Sequence, residues 1–191
     1  MTYTLAQALL KNTKISAEDK IKRLQSLIEK DKTLLTQIDP ERKTNLLFDA
    51  TFNCNGDAVA KYLLSQSPNL IDGRSDAGTN ALFYAAKHAN ISLFDWLMLV
   101  HPNLFHETNN SGQTVLHFLC FNKHALPIIK KYITPHNIQS LFIATKNDYG
   151  TYPIHDAAIE GFVETIKYFI EDLKVNRDCL SQYGRHTIHY A

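Results

Sequence analysis

Apolar residues in this chain recur in short bursts at helical spacing, separated by turn residues at nearly constant intervals. The clearest burst is Gly150–Gly161, which reads Gly-Thr-Tyr-Pro-Ile-His-Asp-Ala-Ala-Ile-Glu-Gly. Ile154, Ala157 and Ala158 lie three and four apart and share one face of a short helix. Pro153 fits the first turn of that helix, where a missing N–H costs nothing. Gly161 ends it after about two turns. A second helix is predicted over Phe162–Glu171, with Phe162, Ile166, Phe169 and Ile170 as its apolar positions. The unit is a turn, a short helix, a tight link and a longer helix.

The same pattern predicts helix pairs near Asn45–Asn53 and Asp57–Gln66, near Asn80–Ala89 and Ile91–Val100, and near Thr114–Asn122 and Ala125–Ile133. Pro127 is tolerable only in the first turn of the last of these. Ser67-Pro68-Asn69 and His101-Pro102-Asn103 stop two of the second helices. Ile138, Leu141, Phe142 and Ile143 predict an extra helical turn within Pro135–Thr145. Ahead of the first pair, Leu5, Ala6, Leu9 and Leu10 form an apolar face within Thr4–Asn12. Ile21, Leu24, Leu27 and Ile28 form the stripe of a helix capped by Ser16, with Asp19 in its first turn. Lys20, Lys22, Arg23 and Lys30 are assigned to its wet side.

Aligned on the glycine slot, the units read Lys43-Thr-Asn-Leu-Leu-Phe-Asp-Ala-Thr, Gly78-Thr-Asn-Ala-Leu-Phe-Tyr-Ala-Ala, Gly112-Gln-Thr-Val-Leu-His-Phe-Leu-Cys, Gly150-Thr-Tyr-Pro-Ile-His-Asp-Ala-Ala and Gly184-Arg-His-Thr-Ile-His-Tyr-Ala. The steps between them are 35, 34, 38 and 34 residues. A period near 33 with a Thr-Pro-Leu-His-x-Ala core is the ankyrin signature, and the chain resembles the ankyrin-repeat family over roughly Lys43–Ala191. The resemblance implies an all-α solenoid of stacked antiparallel helix pairs with projecting turns, in residues 44–191. Residues 1–43 are expected to be an N-terminal helical cap, a degenerate repeat whose outer face meets water. The fifth unit stops within its first helix, so the native chain is expected to continue.

Composition narrows the function classes. The chain has 191 residues, 45% apolar and 20% charged, with a net charge of +1. That balance leaves no electrostatic footprint for nucleic acid. Cys54, Cys120 and Cys179 stand singly, which argues against a disulfide framework and for a reducing compartment. Met1–Leu10 lacks the features of a signal peptide, and apolar runs such as Trp96–Val100 are too short to span a bilayer. A monomeric, cytoplasmic protein without membrane insertion is expected.

Candidate chemistry is sparse. His117, His155 and His189 fill one repeat slot, occupied by Phe48 and Phe83 in the first two units. A slot that accepts Phe is a packing slot. The family resemblance implies an imidazole that bonds backbone groups and ties neighbouring loops. His117 and Cys120 lie three apart on a helix, but no second pair stands at zinc-ligand spacing. No phosphate loop, nucleophile elbow or His-Glu-x-x-His occurs. A Cys–His pairing formed in space is the one catalytic arrangement that sequence leaves open. Neither an enzyme nor a cofactor is expected.

The resemblance instead implies a scaffold that binds another protein through a concave face of first helices and through its turn tips. The slots flanking the turn glycine hold Asp76 and Thr79, Asn110 and Gln113, Asp148, Tyr149 and Thr151, then Tyr183 and Arg185. Those after the Ala-Ala slot hold Lys87 and His88, Phe121 and Asn122, Ile159 and Glu160. Tyr84 and Phe118 add aromatic anchors of the kind that dominate interfaces. The alternative is the targeting part of a longer enzyme. Its repeats look similar to those of effectors that intracellular bacteria deliver into host cells, which would place it in host cytoplasm.

Overall fold

The computed structural model describes residues 2–51, 56–138, 147–148, 150–181 and 183–189. The chain divides into two compact units, Met1–Leu104 and Phe105–Ala191.

In the first unit, α1 (Thr2–Lys11) and α2 (Ala17–Lys30) pack on each other. The pair α3 (Leu46–Ala50) and α4 (Gly56–Gln66) follows, then α5 (Ala81–Lys87) and α6 (Ile91–Val100). First helices stack on first helices, α1 on α3 and α3 on α5, and second on second, α2 on α4 and α4 on α6. The core between the rows holds Leu24, Leu46, Phe48, Leu63, Phe83, Phe94 and Leu97, all fully buried. Ser16 caps α2 by accepting from the Asp19 N–H at 3.1 Å, as its sequence predicts.

The second unit contains α7 (Val115–Cys120) and α8 (Leu126–Tyr132), then α9 (Pro153–Ile159) and α10 (Val163–Lys167). The last helix widens into a π-turn over Tyr168–Asp172. A short 3-10 turn, Thr187–His189, packs on α9. Pro127 and Pro153 both occupy first turns. The Tyr168 hydroxyl donates to the Ile133 carbonyl at 2.9 Å and joins α10 to the end of α8.

Three sequence expectations need correction. Lys20 is buried rather than wet, because its ammonium donates to the Leu10 carbonyl at 3.0 Å and closes the end of α1. The first helices are shorter than predicted, because Asn45, Asn80 and Thr114 stand outside them as caps. The helix predicted over Phe162–Glu171 starts one residue later and loses α geometry at Tyr168. The extra turn expected within Pro135–Thr145 falls largely outside the described residues.

Candidate functional site

Each repeat presents two kinds of surface, the tip of its turn and the end of its first helix. What fixes both is a set of hydrogen bonds at the glycine slot. The residue three before the glycine is Ser75, Asn109, Asn147 or Ser181, and all four are buried. Each donates its N–H across the turn, to the carbonyls of Thr79, Gln113, Thr151 and Arg185 at 3.0, 2.9, 3.1 and 2.9 Å. The glycines close the turns at φ +75°, +69°, +69° and +66°, a left-handed region that side chains disfavour. Lys43 holds the same slot at φ +56°. Neighbouring tips are joined within each unit: the Asp76 N–H donates to the Arg42 carbonyl at 2.9 Å, and the Asp148 N–H to the Ser111 carbonyl at 2.8 Å.

Two chemically different devices hold the first helices. In the first two repeats an asparagine does it. The Asn45 Oδ1 accepts from the Leu47 N–H at 3.0 Å while its Nδ2 donates to the Leu70 carbonyl at 2.8 Å. Gly73 leaves the room this needs, since a Cβ there would collide with the Asn45 amide. Asn80 repeats the arrangement, with the Leu82 and Phe83 N–H groups and the Leu104 carbonyl. In repeat four a histidine does it from three positions later. The His155 Nδ1 accepts from the Tyr152 N–H at 3.0 Å, so its proton is on Nε2, which faces the Cys179 carbonyl at 3.2 Å. His117 likewise accepts from the Thr114 N–H at 3.1 Å and points Nε2 at the Thr151 carbonyl, 3.5 Å away. His189 accepts from the His186 N–H at 3.0 Å.

The exposed positions sit beside these fixed points. Asp76, Asn110, Asp148 and Arg185 stand exposed at the tips, and Tyr183 is 69% exposed. At the helix ends Lys87 and Glu160 are exposed, with Phe121 at 40% and Ile159 at 50%. Gln113, Phe118, Asn122 and His88 are half-buried. Thr79 and Thr151, expected at the surface, are buried because their hydroxyls clasp the turn: Thr79 meets the Ser75 hydroxyl at 2.6 Å, and Thr151 the Asn147 amide at 2.9 Å. Tyr84 is half-buried and edge-on to Phe48 at 4.9 Å, with its hydroxyl bonded to the Thr79 and Ser75 side chains. It belongs to the scaffold as much as to the surface. Tyr149 lies outside the described residues.

Residues 85–179 match the family model for ankyrin repeats (3 copies). This segment is an ankyrin-repeat array. The match and the helix pairs that precede it make the fold an all-α ankyrin solenoid, and ankyrin repeats generally mediate protein–protein interaction. No curated protein matches the chain.

The ankyrin scaffold also brings together a Cys–His pair, Cys179 Sγ and His155 Nε2, 3.8 Å apart. Burial pushes the Cys179 thiol above its usual range, and the imidazole N–H is aimed at the Cys179 carbonyl. A nucleophilic pair needs the opposite, a lowered thiol and an imidazole free to take its proton. Cys120 is fully buried, and its thiol is raised further by that burial and by Asp156. Cys120 and Cys179 are free cysteines, and Cys54 lies outside the described residues. Among the described residues no group of three or more His, Cys, Asp or Glu is arranged to hold a metal, and no helix is long and apolar enough to cross a membrane.

The slot after the histidine holds Asp49 and Asp156 as well as the aromatic Tyr84 and Phe118. Asp49 is fully buried and paired with Arg42 at 3.1 Å and Lys11 at 3.5 Å, with the Gln7 amide donating at 3.2 Å. These bonds tie α1 to the first repeat. Tyr3, whose hydroxyl donates to the Thr44 carbonyl at 2.9 Å, is pushed up to about 12 by its own burial and by Asp49. Asp39 is held below the usual carboxylate range by the Arg42 N–H and by Gln7.

Proposed function

We propose that this protein is a non-catalytic binding module that takes another protein against the ends of its first helices and its turn tips. One observation carries the reading. The last slot of the helix core and the slot that follows it contrast sharply in burial and in variety. Ala86, Cys120 and Ala158 are small and at most 1% exposed, while the next slot holds Lys87, Phe121 and Ile159, all exposed. The tips repeat this: Ser75, Asn109 and Asn147 are buried and small or amide-bearing, while Asp76, Asn110 and Asp148 after them face water. A fixed scaffold thus displays a different side chain in each repeat, which is what reading a partner along an array requires.

Phe121 and Ile159 are the apolar anchors of this surface, because exposed aromatic and aliphatic groups next to a rigid backbone lose little entropy on binding. Asp148 and Glu160 give it a polar rim. The pair α1–α2 within residues 1–43 serves as the cap. Free Cys120 and Cys179 support a reducing, cytoplasmic setting. The test is calorimetric titration of a purified partner, selected from a protein library on the immobilised chain, against Phe121→Ala and Ile159→Ala. Loss of affinity with retained folding supports the surface, and unchanged affinity removes it.

A further inference from the structure

Thr151 has one hydroxyl proton and two acceptors for it: Asn147 Oδ1 at 3.1 Å and Asp156 Oδ1 at 3.2 Å. The same hydroxyl oxygen accepts from Asn147 Nδ2 at 2.9 Å. Asp156 is 3% exposed, and its second oxygen, Oδ2, is buried with no hydrogen-bond partner. The position is built differently elsewhere in the chain. Asp49, in the same slot, has Arg42 and Lys11 as counterions. Tyr84, also in that slot, bonds the turn threonine with a hydroxyl that stays neutral at any ordinary pH. Asp156 alone among these combines a titratable group, burial and contact with the turn, and among the described residues it forms no ion pair.

We propose that Asp156 makes the clasp between Asn147 and Thr151 responsive to pH. The states differ by one proton exchanged with solvent. Ionised, Asp156 draws the Thr151 hydroxyl proton to itself, and Asn147 Oδ1 loses that donor. Protonated, the carboxyl O–H donates to Thr151 Oγ1, and Thr151 turns its proton to Asn147 Oδ1. A hydroxyl can accept twice and donate once, so the protonated state pairs every atom of this chain of bonds and leaves Asp156 Oδ2 as a neutral carbonyl oxygen. The ionised state leaves a charge in a dry site.

The groups around the carboxylate favour the protonated state. From α7 it faces Cys120, a neutral thiol, and His117 lies behind Thr151. On its own helix Glu160 adds like charge one turn on, and His155 is engaged with Tyr152 and Cys179. On α10, Glu164 and Lys167 pair with each other at 3.0 Å in solvent. Asp148 in the turn and His189 in the last 3-10 turn are exposed. Burial, opposed in part by Thr151 and aided by Glu160, pushes Asp156 up to about 7. A group raised on folding contributes stability that is full below its unfolded value, near 4, and is lost as pH rises through about 7.

The proposal is independent of whether the surface above binds a protein. Its test compares the wild-type chain with Asp156→Asn from pH 4.5 to 8, because other groups titrate over the same range in both. His88, lowered by its burial, is one of them. The melting temperature of the wild type relative to the variant is expected to fall by several degrees as pH rises from 5 to 8. The Asp156 carboxyl carbon resonance should titrate well above the ordinary carboxylate range, with the Thr151 and Gly150 amide shifts following it. If the variant does not fold, the carboxyl titration of the wild type decides alone. A carboxyl midpoint near 4, or a wild-type-to-variant difference that does not change with pH, overturns the proposal.

Discussion

The Asn80 Nδ2 donates to the carbonyl of Leu104 at 3.1 Å, 24 residues further on. With its Oδ1 on the Leu82 and Phe83 N–H groups, one side chain both caps α5 and fastens it to the segment after α6. His155 makes the corresponding link to Cys179, also 24 residues on, from a different slot and with a different functional group. The two solutions exclude each other by position. Where Asn holds the cap, Phe48 or Phe83 fills the histidine slot and is fully buried.

Asn80→Ala therefore removes a cap and strands a buried carbonyl together. The cap is worth about 1 kcal/mol, and the orphaned acceptor about 1–3 kcal/mol. A loss of about 2–3 kcal/mol in urea unfolding is expected. Asn80→Ser keeps a capping oxygen but cannot reach Leu104, and should lose about half as much. Equal losses for both would show that the link contributes nothing.

The exchange of devices predicts a rescue. His155→Phe alone should cost about 2 kcal/mol, by leaving the Tyr152 N–H and the Cys179 carbonyl unpaired. Adding Tyr152→Asn rebuilds the arrangement of the first two repeats and should recover most of that cost. The coupling between the two changes, read from a double-mutant cycle, should be about 1 kcal/mol or more and favourable. Additive losses would contradict the equivalence of the two slots.

Lys43 and Ala89 occupy left-handed backbone at φ +56° and +48°. Aligned repeats place Gly78, Gly112, Gly150 and Gly184 in the slot of Lys43, and Gly161 at φ +71° in the slot of Ala89. Side chains in this region cost about 1–2 kcal/mol, of which glycine's greater freedom in the unfolded chain returns part. Lys43→Gly and Ala89→Gly should each raise stability by about 0.5–1 kcal/mol in denaturant unfolding. Destabilisation by both would show that the turns rely on those side chains.

Much of this architecture is legible in the chain itself. Glycines at a nearly constant period mark backbone that only glycine adopts easily, and they locate every turn but the first, where Lys43 stands. Ala85-Ala86 and Ala157-Ala158 mark the packed face of the first helices, and all four are buried. Ser16 announces its cap because capping is a local bond, three residues long. The rest depends on partners remote in sequence. Asn45 and Asn80 look like ordinary caps, and nothing local shows the second bond to Leu70 or Leu104. The repeated Asn-x-x-Phe against x-x-x-His pattern was the available signal. Lys20 sits among solvated lysines, and only the open end of α1 gives its ammonium a buried acceptor. Thr79 and Thr151 hold slots expected from the family resemblance to touch a partner, and Tyr84 is expected there as an aromatic anchor. Their hydroxyls are instead turned inward to the turn clasp.

Tyr84 for this reason makes a poor probe of binding, since truncating it would damage the Phe48 packing as well as the surface. Phe121 and Ile159 are better probes, because each is exposed and follows a buried residue that keeps the helix in place. The direct measurement is the affinity of a purified partner for the Phe121→Ala/Ile159→Ala chain, taken with its melting curve. Truncated anchors cost an interface about 2 kcal/mol or more, so binding should weaken at least about tenfold with little change in melting. Lys61→Ala and Lys167→Ala, on the second helices, should bind as the wild type does. Full affinity in the double variant, with loss in the second-helix variants, would contradict the account.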